Sequence, residues 1–187
     1  MLTNIRTKFC GNAMSPSSLS PLPTAIQSHQ KAYLSKIIEM GNMDQLKSIL
    51  LIQTNVVEIR NNDGGTLLME ATHYNKPQMV QILIDAGSDV NAVEKNKINA
   101  YHYSACVGHE NVLQVLIRHD VTNINKAMMY GWTPLHFASK GGHIQCVQLI
   151  LSVPHINVNI KNNNNETAYD VANNDTVKLL IDGHQKQ

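Results

Sequence analysis

Gly131-Trp132-Thr133-Pro134-Leu135-His136-Phe137-Ala138-Ser139-Lys140-Gly141-Gly142-His143 reads as a turn that feeds one short helix and opens a second. Gly131 supplies a backbone position that accepts positive φ, which a tight turn commonly requires. Thr133 is an N-cap whose hydroxyl can take an orphan helix N–H, and Pro134 stands at N1, where the missing N–H costs nothing. His136 falls at N3, from where its ring can reach back to the cap as Glu does in a capping box. Gly141-Gly142 stops this helix and turns the chain. Residues 144–151 then place Val147, Leu149, Ile150 and Leu151 on an apolar face, which predicts the second helix.

The pattern T-P-L-H-x-A…G-H…L-I-L resembles an ankyrin repeat, a unit of about 33 residues, and it recurs in register along the chain. The resemblance implies an all-α solenoid of stacked helix-turn-helix units with β-hairpin-like finger loops. It covers residues 29–182 as repeats of about 29–61, 62–94, 95–128, 129–162 and a shortened 163–182, with a tail at 183–187. Stacking needs about three repeats for stability, so such an array can stand alone as a monomer.

Each repeat departs from the pattern somewhere. The first is expected to form helices at 33–40 and 43–51 around a Gly41-Asn42 turn. Its Gln45 and Ser48 stand where later repeats are apolar, as the wetter outer face of an N-terminal cap would require. In the second, Leu67 and Met69 replace the Pro and His, so the helix after Thr66 should be less firmly capped; Gly87 is the expected left-handed C-cap. In the third, Asn99 replaces the capping Thr and Lys97 holds the turn position of Gly64 and Gly131. Either Asn96 takes the positive φ there, or this finger uses a different turn. Single extra residues fall at 119–121 and 153–155, where surface connections tolerate insertion. The last repeat opens on Thr167-Ala168-Tyr169-Asp170, a cap with an acidic N3 residue, and is then trimmed.

Residues 1–28 differ from the rest. Ser15-Pro16, Ser20-Pro21 and Pro23 predict a disordered leader. No acidic residue precedes Glu39, while Arg6 and Lys8 stand beside Leu2, Ile5 and Phe9 at helical spacing, a composition resembling a mitochondrial transit peptide. The alternative is a polar tail that lacks acids by chance. Three cysteines without paired spacing argue for a reducing compartment. The expected location is the cytoplasm or the nucleus, with mitochondrial import as the alternative.

A net charge of +1 gives no electrostatic footprint for nucleic acid or an acidic membrane. No apolar run approaches the roughly 18 residues of a membrane span. No nucleophile elbow, P-loop, H-E-x-x-H or dinucleotide fingerprint is present, so no catalytic residue can be named and an enzyme is not expected. The pairs His102/Cys106 and His143/Cys146 have helical spacing, but no fourfold cluster suits zinc, and neither metal nor cofactor is predicted. Cys146 belongs to an apolar face, whereas Cys106 maps to the exposed end of a first helix.

Binding remains. The resemblance implies that a partner meets the finger tips and the exposed ends of the first helices. Those positions are Asn62, Asp63, Gly65, His73 and Tyr74 in the second repeat, and Lys95, Asn96, Ile98, Cys106 and Val107 in the third. In the fourth they are Met129, Tyr130, Trp132, Lys140 and Gly141, and in the fifth Asn163, Asn164 and Glu166. The ends of this column are polar and its middle is apolar, as at the centre of a protein interface. Tyr74, Ile98, Val107, Met129, Tyr130, Trp132 and Lys140 are therefore the predicted partner-binding residues, Trp132 having the alternative role of packing on a neighbouring finger. The expected function is a non-catalytic protein-interaction module, an adaptor or a competitive inhibitor. The alternative is a structural or organelle-imported scaffold, or part of a larger multidomain protein.

Overall fold

The computed structural model describes residues 24–185. The leader up to residue 23, with its Ser-Pro pairs, transit-like composition and Cys10, lies outside the described residues, as do residues 186 and 187. The described chain is a solenoid of paired antiparallel helices. The pairs are α1 (Thr24–Met40) with α2 (Met43–Ile52), α3 (Leu67–His73) with α4 (Pro77–Asp85), α5 (Ala100–Val107) with α6 (Glu110–His119), and α7 (Pro134–Gly141) with α8 (Ile144–Leu151). A last helix, α9 (Asp175–Gln185), closes the array against α8. Among the described residues the only β pairing is an isolated antiparallel bridge, Arg60 to Thr66, at the base of one finger.

Seven- and eight-residue helices such as α3, α5 and α7 would be marginal alone; burial and caps hold them. Leu46, Leu67, Leu68, Leu83, Leu113, Leu116, Leu135 and Ile150 belong to one continuous core running through every repeat. The caps form as their residues dictate. The Thr133 hydroxyl accepts the His136 N–H at 3.4 Å while Nδ1 of His136 accepts the Thr133 N–H at 3.2 Å. Asn99 and His102 make the same reciprocal pair. Thr66 caps α3 from one side only, because Met69 has nothing to return.

Histidines of the Gly-His turns tie the third and fourth repeats each to the one before. His109 Nδ1 meets the Thr72 carbonyl at 3.0 Å, and His143 Nε2 meets that of Cys106 at 3.1 Å. On the connections after the second helices an asparagine ladder does the same. Asn91 bonds the Asp120 carboxylate, Asn125 donates to the His155 carbonyl, and Asn159 accepts from Gln185.

Three expectations need correction. Helix α1 starts at Thr24 rather than at 33, so residues 24–28 are helical and not leader. After Pro23 there is no proline until Pro77, and nothing stops a helix from propagating back to that point. Lys97 itself takes the left-handed conformation at φ +61, as do Gly64 at +86 and Gly131 at +78. Asn96 does not, and the turn is unchanged. In the fifth repeat Thr167 and Asp170 bond reciprocally, but a single turn follows instead of a first helix, and α9 continues through residues assigned to the tail as far as Gln185. In the first repeat Ser48 is exposed on α2, and Leu51 and Ile52 at the end of that helix are exposed as well, by 86% and 82%.

Candidate functional site: the concave groove of the third and fourth repeats

Four fingers share one backbone design. In each, an N–H bonds the carbonyl four residues on: Asn61 to Gly65, Glu94 to Ile98, Met128 to Trp132 and Asn162 to Glu166, at 2.8–3.0 Å. Neighbouring tips are then linked by one bond each, from Lys95 N–H to the Asp63 carbonyl (2.8 Å), Met129 N–H to Asn96 (3.0 Å) and Asn163 N–H to Tyr130 (3.1 Å). These bonds occupy the tip backbone and leave the tip side chains outside. Tyr130 is 59% exposed and Met129 48%.

Beside the fingers, the first helices turn a regular face to the same side. Phe137 lies four residues after the Thr133 cap, and Lys140 one turn further on. Together with the fourth finger they enclose an open groove of about 420 Å³, lined by Cys106, Met128, Tyr130, Trp132, Phe137, Lys140 and Gly141. Trp132 is its wall. The indole lies tilted against Phe137, with ring centroids 5.1 Å apart, and near His136 at 5.8 Å, so it packs on the first helix of its own repeat. The Lys140 ammonium stands 5.0 Å from the Trp132 ring centroid, within cation–π range. Phe137 also meets the His102 ring edge-on at 6.2 Å, which couples the groove to the third repeat.

Of the seven predicted partner-binding residues, Tyr130, Trp132 and Lys140 line the groove. Met129 flanks it at the finger tip, and Val107 is half exposed at the end of α5. Ile98 is half-buried at the base of its finger, accepting the Glu94 N–H through its carbonyl. Tyr74 lies one repeat away, packed edge-on against His73 at 5.3 Å. Met128 and Phe137 also line the groove and are not among those seven. Phe137 was legible from periodicity, three residues before Lys140 and four before Gly141 on one helical face. Met128 carried no comparable signal.

The histidines and cysteines have structural surroundings. Burial pushes the His102 pKa down to about 4, against the opposing pull of the Trp132 and Lys126 carbonyls. His136 is lowered as well, by burial, with the Glu166 carbonyl pulling the other way at 3.1 Å. Burial, with Glu110 adding to it, pushes the Cys146 thiol up to about 11, as suits a core residue. Cys106 is exposed and faces the groove. Among the described residues no three His, Cys, Asp or Glu side chains gather as a metal site would need, and no helix is long and apolar enough to cross a membrane.

Comparison with known proteins gives a consistent result. A family model described as ankyrin repeats (3 copies) matches residues 34–128 and 113–187. Human transient receptor potential cation channel subfamily A member 1 is 31% identical over 60% of this chain and 10% of its own length. The putative ankyrin repeat protein YahD of Escherichia coli is 28% identical over 66% of this chain and 61% of its own. A probable E3 ubiquitin-protein ligase of rice, XBOS32, is 27% identical over 58% of this chain and 28% of its own. The chain thus spans less than two thirds of the length of each of these relatives.

Proposed function

Because the chain belongs to the ankyrin-repeat family, whose arrays generally mediate protein–protein interaction, we propose that it is a non-catalytic recognition module acting as an adaptor or competitive inhibitor. Its partner engages the concave face at the third and fourth repeats. The observation that supports this is the groove at Tyr130, where an exposed tyrosine and the half-buried Met128, Trp132 and Phe137 stand beside the Lys140 ammonium, which pairs with no carboxylate among the described residues. Such a centre, ringed by the polar tips Asn62, Asp63, Asn163 and Asn164, has the composition of a binding hot spot within a polar rim.

A photo-crosslinking amino acid placed at Met129 tests the reading against one placed at Gln148, which lines a more polar groove with Glu110 and Gln114 of α6. Crosslinks to one discrete protein from Met129 and none from Gln148 are expected. Equal or stronger crosslinking from Gln148 would move the site away from the concave face.

A further inference from the structure

Three ion pairs form among the described residues: Lys31 with Glu70, Lys36 with Glu39 and Lys95 with Asp63. Lys140 belongs to none of them. It is exposed on the last turn of α7, and its ammonium lies over the indole that walls the groove. Glu166 and Asp170, the acids that act on His136 behind the indole, are engaged within their own repeat: Glu166 accepts from Asn162 at 2.9 Å and Asp170 from the Thr167 hydroxyl at 2.8 Å. The groove therefore holds an apolar floor and a single positive charge with no carboxylate to answer it. An ammonium over an aromatic face keeps N–H donors free on the side away from the ring, and a carboxylate approaching them would be partly desolvated by the rings around it.

We propose that the groove selects an extended peptide segment in which a large apolar side chain stands next to an Asp or Glu. The apolar group packs between Tyr130, Met128 and Phe137, and the carboxylate meets Lys140. This deepens the proposed function and rests on it. A peptide suits the site better than a small molecule. Small-molecule sites bury most of their ligand, whereas Tyr130 remains 59% exposed here, and its neighbour Met129 and the Cys106 neighbour Val107 are exposed as well.

The chain carries one tryptophan, and it lies in the groove, so occupancy has a direct reporter. A random dodecapeptide display library panned on the full chain, on Lys140→Gln and on Lys140→Glu tests the proposal; selected peptides are then titrated by Trp132 fluorescence. Peptides enriched on the unmodified protein should carry an acidic residue within two positions of a large apolar one. Their affinity should fall at least tenfold on Lys140→Gln, and panning on Lys140→Glu should enrich Lys or Arg at that place instead. Lys140 is exposed and belongs to no ion pair, so the far-UV helix signal should be the same in all three proteins. Enrichment without acidic preference, or an acidic preference that survives Lys140→Glu, would overturn the charge assignment while leaving a concave binding site intact. Failure to enrich any peptide that shifts Trp132 fluorescence would overturn the proposal as well. The crosslinking from Met129 would then judge the protein-binding reading separately.

Discussion

Replacing Lys97 by Gly should stabilise the array. At φ +61 Lys97 holds the left-handed conformation that two sister fingers assign to glycine. For an L-residue that conformation costs roughly 1–2 kcal/mol. Gly removes this cost but adds unfolded-chain freedom worth about 0.4–1 kcal/mol. Nothing else is lost, since the side chain is exposed and makes no ion pair, and the backbone bond from Lys97 N–H to the Glu94 carbonyl (2.9 Å) is kept. The middle of each range gives a net gain of about 0.8 kcal/mol. At a urea m-value of about 2 kcal/mol/M, that raises the midpoint by roughly 0.4 M at unchanged slope. Two controls separate backbone conformation from steric fit. At Gly64 an added Cβ would lie 3.5 Å from Glu94 Cα, an ordinary contact, so Gly64→Ala should lose about 1 kcal/mol from φ alone. At Gly131 the Cβ would come within 2.9 Å of Asn162 Cα and Asn163 N, so Gly131→Ala should lose clearly more. A midpoint for Lys97→Gly equal to or below that of the parent would refute the reasoning.

Further outcomes are expected. Thr133→Ala should cost about 1 kcal/mol in urea melts and more than Asn99→Ala. The threonine hydroxyl can both donate to His136 Nδ1 (2.8 Å) and accept a backbone N–H, whereas the Asn99 oxygen, at 2.6 Å from His102 Nδ1, can only accept. Equal losses would show that the difference in cap chemistry is immaterial. Tyr101→Phe should cost about 1–2 kcal/mol, because the buried hydroxyl donates its one proton to the Asp120 carbonyl, with that of Leu116 also within reach; an unchanged midpoint would contradict this. Stability should also fall in acid. His102 has a folded pKa of about 4, below the unfolded value of about 6.5, so the unfolded chain binds the extra proton. The stability conferred by the neutral ring is complete above about pH 6.5 and is lost progressively toward pH 4. Urea midpoints at pH 7.5 and 5 should differ, and less so in His102→Gln; pH-independent midpoints would count against the buried neutral ring.

Much of this architecture was legible because each repeat restates it in local chemistry. The Thr133–His136 and Asn99–His102 caps, Gly87 at φ +96 and the Gly-His turns are all short-range features whose residues name their own geometry. The ends were harder. Where α1 begins depends on packing and on the absence of a breaker after Pro23, and the fifth repeat keeps its cap without the helix that usually follows. At the Lys97 finger local preference does not decide the backbone. Instead the bonds from Glu94 to Ile98 and from Lys95 to Asp63 hold the turn in place and impose the strain on lysine. Of the site, the tip residues Tyr130 and Met129 could be read from register. The depth of the groove could not, since it depends on how Trp132 leans on Phe137.

The most direct test of the concave groove as the binding surface is an affinity measurement on the partner crosslinked from Met129, using the full chain and its variants. Trp132 is half-buried against Phe137 and would confound folding with binding, so Tyr130→Ala is the better probe. An exposed aromatic at an interface centre typically costs 2 kcal/mol or more on truncation, at least about thirtyfold in Kd. Asn62→Ala and Asn163→Ala at the rim should each change it by less than about 0.5 kcal/mol. A thirtyfold loss on Tyr130→Ala, with the urea midpoint unmoved and the rim variants near normal, is the expected result. Near-normal affinity of a folded Tyr130→Ala protein would contradict the assignment.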